Sequence, residues 1–250
     1  AGTVAVAPFT QDYNEIGNIP EVQFINDGTV NDWVHGTAIN NPESQEGGAI
    51  YISNDGGVTN AYTTNPGSSG TRVYYTTLVA FPTDGSVAFR ISFDWKCYGE
   101  GTYDFMKVFL VPVEYELQSG AEPASRYAIT GNLNGSTNWN TKNITLDAAG
   151  RLGTMQKLVF MWRNDSSDGN PPPAAIDNLS ITSLSCIAPA SIAYQRTENP
   201  SEMIINITSS NPTETTYQIE YKPTSSDEWL TVTTTELTHT LTELELGTEY

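Results

Sequence analysis

Short runs rich in Val, Ile, Thr, Tyr and Phe recur along this chain, each closed by Gly, Pro, Asn or Asp. That punctuation constrains the fold more than any other feature, because it leaves little room for helices. Residues 48–53 read as a strand closed by Asn54, Asp55, Gly56 and Gly57, and residues 72–81 as one closed by Pro82, Thr83, Asp84 and Gly85. Residues 87–98 alternate: Phe89, Ile91, Phe93 and Trp95 point one way, Arg90, Ser92, Asp94 and Lys96 the other. Residues 103–113, 143–146, 156–163 and 175–183 supply four more strands. Repeated strand–turn units predict an all-β, two-sheet antiparallel sandwich of jelly-roll type over residues 1–186.

After Cys186 the composition changes, and residues 187–190 read as a linker. Strands are expected at 203–208, 216–222, 229–234 and 238–241, the front of a smaller β-sandwich over residues 187–250. Hydrophobic residues at 38% and aromatics at 10% suffice for packed cores, so disorder is not expected. No run of about 18 apolar residues occurs, so no membrane insertion is expected. Residues 1–8 lack a charged n-region and a long h-region, so any leader is expected to be gone already.

Charge narrows the partners. Asp and Glu number 29 against 11 Lys and Arg, a net charge of −18. No basic face can form to release phosphate counterions, which argues against nucleic acid, and a basic membrane patch is equally disfavoured. Cations, neutral glycans and extracellular proteins remain as ligands.

Catalytic signals are poor. The only histidines, His35 and His239, fall in different predicted domains. No G-x-S-x-G, H-E-x-x-H or P-loop string is present. Glu114 and Glu116 alternate as paired carboxylates would, but charges on a solvent-facing strand explain them more simply. A non-catalytic chain is expected, with His35 as a surface or packing residue.

Aromatic platforms suit glycans, whose apolar face needs a flat partner. Trp95 and Trp162 lie in the best-patterned strands and read as core. Tyr62, Tyr103 and Trp139 lie in or beside polar loops and are the better ligand-binding candidates. Asn164, Ser166, Asp168 and Gly169 match positions 1, 3, 5 and 6 of a calcium loop, but Ala175 stands at position 12, so a solvated turn is the simpler reading. Cys97 and Cys186 could bridge, clamping the domain's end to its sheet for ~4.5 kcal/mol in the loop-entropy model, or stay as buried thiols. N-x-S/T strings at Asn134, Asn143, Asn164, Asn178 and Asn206 are expected by chance in a chain this rich in Asn and Thr.

Several stretches resemble one family. Phe9-Thr10-Gln11-Asp12-Tyr13-Asn14 with Ile19-Pro20 resembles the opening of jelly-roll domains in surface proteins of Bacteroidetes-type bacteria, related to gingipain cleaved adhesins and to MAM domains. Phe93-Asp94-Trp95-Lys96 with Gly99-Glu100 and Tyr103-Asp104, residues 160–165, and the Ala175-Ile176-Asp177-Asn178 run fit the same group. The resemblance implies a secreted, extracellular or cell-surface binding module with structural calcium. The ion would be held by Asn14 and Asp177, with Asp12 in reach; Asn14 stands where the family has Glu. Alternatively, Asp177 accepts hydrogen bonds from neighbouring backbone amides.

Residues 241–250 resemble the tyrosine corner of a fibronectin type III domain, and Tyr217-x-Ile219-x-Tyr221 with Trp229 resembles its strands C and C′. The expectation is an incomplete domain lacking strands F and G, in a fragment of a longer chain. The expected role is adhesion or binding to glycan or extracellular protein. The rivals are a structural spacer or stalk unit, and a targeting module of a secreted protease or glycoside hydrolase.

Overall fold

The structure, a computed structural model, describes residues 4–14, 22–26, 30–42, 47–67, 70–118, 120–185, 189–209 and 216–250. The chain divides into two compact units, Ala1–Ser185 and Cys186–Tyr250.

The first unit holds two sheets. One runs β1 (Ala5–Val6), β6 (Thr71–Ala80), β10 (Met155–Asn164), β8 (Phe105–Pro112), with β3 (Val22–Ile25) also on β6. The other runs β4 (Asp32–Gly36), β5 (Ala49–Ser53), β11 (Ala175–Leu184), β7 (Ala88–Cys97), β9 (Ser136–Asp147), with β2 (Phe9–Gln11) on β11. Every described pair is antiparallel except β1 with β6. The all-β sandwich expected from the punctuation is the observed architecture.

Alternation explains how the sheets meet. Phe89, Ile91 and Phe93 of β7 are fully buried, while Arg90 between them is exposed. Phe160 of β10 receives Phe93 edge-on at 5.1 Å from the opposite sheet and stacks on Tyr75 of β6 at 5.5 Å. Trp33 of β4 donates its indole N–H to the Val73 carbonyl of β6 at 3.2 Å, so a buried donor is satisfied across the sandwich. Trp162 is buried and Trp95 packs partly buried against the same core, as their strand positions predict.

The sequence reading differs from the structure at the ends. β1 to β4 are not among the expected strands, because pairing with β6, β11 and β5 holds them rather than a pattern of their own, and β12 is not expected because it has no buried face. β9 starts at Ser136, not Asn143; its polar first half is held by the ladder to β7 rather than by burial. Glu114 and Glu116 follow the end of β8 and are exposed in the next segment, not on a strand. Asp94, placed on the outward face of β7, is nevertheless buried. The Asn41 and Asn178 amides donate to its Oδ2 at 2.8 Å each, and the Thr141 hydroxyl to its Oδ1 at 2.6 Å.

The second unit has a three-stranded sheet, β12 (Ser191–Arg196), β13 (Met203–Thr208), β16 (Thr238–Leu241), and a two-stranded sheet, β14 (Tyr217–Tyr221) with β15 (Leu230–Thr234). Ile205, Ile207, Leu241 and Leu244 form its core, with Ile219, Tyr221, Val232 and Tyr250 packed partly buried against them. Tyr250 OH accepts the Glu245 amide N–H at 2.9 Å. Ile192 and Tyr194 of β12 stand directly opposite the buried Ile207 and Ile205, yet are 64% and 73% exposed.

Phe160→Ala should cost the first unit roughly 3–5 kcal/mol, because it opens a cavity that both sheets line. Urea unfolding followed by tryptophan fluorescence would measure it, and a loss below 1 kcal/mol would show that the two sheets do not depend on this ring.

Candidate functional site

At one end of the sandwich, the segments leaving β7 and β10 converge with the segment entering β8. After β7, the Glu100 amide donates to the Asp104 carbonyl and the Asp104 amide to the Glu100 carbonyl, both at 3.0 Å, closing a tight turn. Gly99 enters this turn at φ +59°, and a Cβ there would run into the Asp104 carbonyl. The Asn134 amide crosses from the loop before β9 and donates to the Asp104 carbonyl at 3.0 Å, which fixes the turn from outside.

Asp104 has no exposed surface. Its Oδ1 accepts the Asp165 amide at 2.9 Å, and its Oδ2 accepts the Tyr62 hydroxyl at 2.8 Å. Gly169 passes so close that a Cβ would meet both the Tyr62 hydroxyl and Asp104 Oδ2. Carboxylate oxygens of Glu100, Asp104 and Asp165 lie within 4.8 Å of one another. Glu100 Oε2 is buried and meets no hydrogen-bond partner among the described residues. Burial pushes the Asp104 carboxyl up to about 6; the Tyr62 hydroxyl and Asp165 amide hold it down, and the Asp165 and Glu100 carboxylates raise it further. Three converging carboxylates with a buried oxygen to spare form a donor set suited to a hard cation.

Aromatic rings border this cluster. Tyr103, inside the turn, is 51% exposed, and Tyr98, just before it, is 42% exposed. The end of the sandwich thus combines flat apolar faces with carboxylates and amides.

The residues predicted from sequence fall in several places. Tyr103 is an exposed ring, as a platform requires. Tyr62 is not: it is 7% exposed, its hydroxyl on Asp104 and its ring edge-on to Trp162 at 5.3 Å. It looked like a loop aromatic because its partners lie 42 and 100 positions away. Trp139 is half-buried, with its indole N–H on the Asn40 carbonyl at 3.1 Å and the Lys96 ammonium 5.5 Å from its ring centre.

Asp12 and Asn14 come together: the Asn14 amide N–H and side-chain amide donate to the Asp12 carboxylate at 3.2 and 3.1 Å, and Asn14 Oδ1 accepts the Gly48 amide. Asp177 is fully buried, and its Oδ1 accepts the Asn178 amide at 2.7 Å. It lies near the Tyr13 phenol, which burial, Tyr75 and Asp177 together keep protonated. Asp177 is not part of the acidic cluster. His35 donates from Nε2 to the Tyr13 carbonyl at 2.6 Å, a packing role. Cys97 is buried as a free thiol; its suggested partner Cys186 lies outside the described residues.

The Asn164-to-Gly169 loop does contribute to the cluster, but through Asp165, which the calcium-loop spacing passes over. Asn164 turns inward instead, accepting the Asn31 amide at 3.1 Å. Glu100 and Asp104 were missed as potential ligands. Their only local signal was the glycine-bounded run Gly99-Glu100-Gly101 followed by Tyr103-Asp104.

No family model matches the chain, and no curated protein matches it. Solved structures do. The K1 cleaved adhesin domain of Lys-gingipain from Porphyromonas gingivalis W83 aligns at 16% identity over 70% of this chain and 97% of its own, with a TM-score of 0.42. The family 11 carbohydrate-binding module of cellulase Lic26A-Cel5E of Clostridium thermocellum aligns at 14% identity over 71% and 96%, with a TM-score of 0.35. The enzymatically active domain of tailspike protein 4 of bacteriophage CBA120 aligns at 12% identity and a TM-score of 0.42, over 69% of this chain and only 20% of its own. At these identities and scores none of the three defines what this chain binds. Among the described residues no helix is long and apolar enough to cross a membrane.

The buried carboxyl makes a pH prediction. Its folded value near 6 lies above the unfolded value of ~3.9, so its contribution is fully present below pH ~4 and is lost as pH rises through about 6. In chelator, the melting temperature of the protein relative to its Asp104→Asn variant should therefore fall between pH 4 and 7. A difference that stays constant over that range would show that Asp104 does not titrate as a buried group.

Proposed function

We propose that the first unit is an extracellular, non-catalytic binding module that takes a glycan or a protein surface at the end of the sandwich carrying Tyr98 and Tyr103. The observation that supports this most is the placement of an exposed ring inside a turn whose two ends, Glu100 and Asp104, converge with Asp165. An exposed tyrosine supplies area for an apolar ligand face at low entropic cost, and neighbouring carboxylates and amides accept and donate to hydroxyls.

Calcium is part of the proposal, as a structural ion. Three carboxylates gathered within 4.8 Å of one another repel, and a divalent cation would relieve that repulsion while tying β7, β8 and β10 together. The alternative location is Asp12, Asn14 and Asp177. The second unit is proposed to be fibronectin type III-like. The Tyr250 hydroxyl on the Glu245 amide supports this as a tyrosine corner, and the exposed Ile192 and Tyr194 support further strands over that face. A modular cell-surface protein fits both proposals, and the strong negative charge suits solubility outside a cell.

Thermal unfolding with calcium and then chelator tests the ion. The first transition should rise by several degrees with calcium and fall back with chelator. Asp165→Ala should abolish that rise if the cluster holds the ion, and Asp177→Asn if the alternative does. No calcium dependence in the parent would remove the ion. Tyr103→Ala should weaken ligand capture on a glycan and protein array at least tenfold; capture that survives it would move the binding face elsewhere, and an array without hits would favour the spacer reading.

A further inference from the structure

A second polar site lies on the outward face of the other sheet, where β11 changes neighbours. On one edge, β11 pairs with β5 at Ala175 and Ile176, then with β2 from Leu179 to Ile181. The seam between them falls at Asp177 and Asn178. On the opposite edge the ladder to β7 slips at the same place, from Asp177↔Asp94 to Ser180↔Ser92. At this bulge Asp177 is fully buried, and Asn178 takes φ +48°, a left-handed conformation that asparagine tolerates better than most side chains.

The result is a depression of ≈ 350 Å³, lined by Thr10, Gln11, Asp12, Asn178, Leu179 and Ser180. Its outward chemistry is two hydroxyls, one amide and one carboxylate, with no cationic side chain in the lining; Gln11, opposite the core residue Leu179, is buried. The polar groups are held in place. Asn178 donates to Asp94 at 2.8 Å, and Asp12 is fixed by both Asn14 donors. Such a set matches a ligand whose every polar group both donates and accepts, as sugar hydroxyls do. Asp12 repels anions.

We propose that this seam is a subsite for one pyranose ring of an uncharged glycan, distinct from the Tyr103 end of the sandwich. The proposal rests on reading the first unit as a glycan-binding module, and it names the sugar class for this subsite: uncharged rings, with sialylated or sulfated sugars disfavoured by Asp12. The Trp139 indole stands on the same outward face, two positions along β9 from Thr141, which reaches Asp94. Strand spacing of about 4.8 Å and a rise of about 3.4 Å per residue put it roughly 12 Å from the seam. That distance is on the order of a trisaccharide.

The test is amide chemical-shift mapping on the full, isotope-labelled chain, titrated with maltotriose, cellotriose, mannotriose and β-1,4-galactotriose, and with 3′-sialyllactose as the anionic probe. At least one neutral trisaccharide should shift the amides of Thr10 to Asp12 and Asn178 to Ser180. Thr10→Tyr, a substitution at an exposed position that fills the depression, should weaken that titration at least tenfold. Shifts confined to the Tyr98–Tyr103 turn would overturn the seam site and leave the proposed function standing. Silence from every sugar would overturn the seam site and the glycan half of the proposed function, leaving capture of a protein surface as its remaining form. Equal shifts from 3′-sialyllactose would overturn the selectivity.

Discussion

The contact of Phe160 with rings from both sheets is the constraint on which the first unit rests. Phe93 reaches it from one side of the sandwich and Tyr75 lies flat on it from its own sheet. Around this column, Tyr75 meets Trp33 and Tyr13, so strands from the beginning, middle and end of the unit share one aromatic core. Such a core forms only when contacts distant in sequence close together, which makes cooperativity expected and partial folding costly. The ends of β7 and β10 and the start of β8 lie together, and that convergence gathers the acidic cluster.

Asp94 and Asp104 are both buried carboxylates, but their surroundings differ. Asp94 meets three neutral side-chain donors and lies on a sheet face. Asp104 meets one hydroxyl and one amide and faces two further carboxylates. The first arrangement satisfies a charge inside the protein. The second leaves negative potential gathered at one end of the first unit's sandwich, beside the exposed Tyr98 and Tyr103 rings.

The long, alternating strands were legible in the sequence. β7, β10 and β11 match their predicted spans to within one or two residues, because each presents a fully buried face. β13 and β16 match as well. The short strands of the first forty residues were not legible, since they exist by pairing with β6, β11 and β5 rather than by any pattern of their own. The site was legible only in part. Tyr103 could be found as an aromatic in a polar loop, but the same rule misplaced Tyr62, whose burial depends on Asp104 and Trp162. Asp165 sat in a stretch that already resembled a calcium loop, one position away from the residues that the spacing favoured. Long-range partners decide such cases, and a single sequence does not reveal them.

Cys97 closes β7 with its thiol buried and free, and burial raises its pKa far above the ordinary thiol range. In the folded unit it is therefore neither accessible nor ionised. A thiol-reactive dye would reach it only through openings that separate β7 from the core, so its labelling rate counts those openings in the native ensemble. The strand that anchors the Glu100 turn thus carries its own clock.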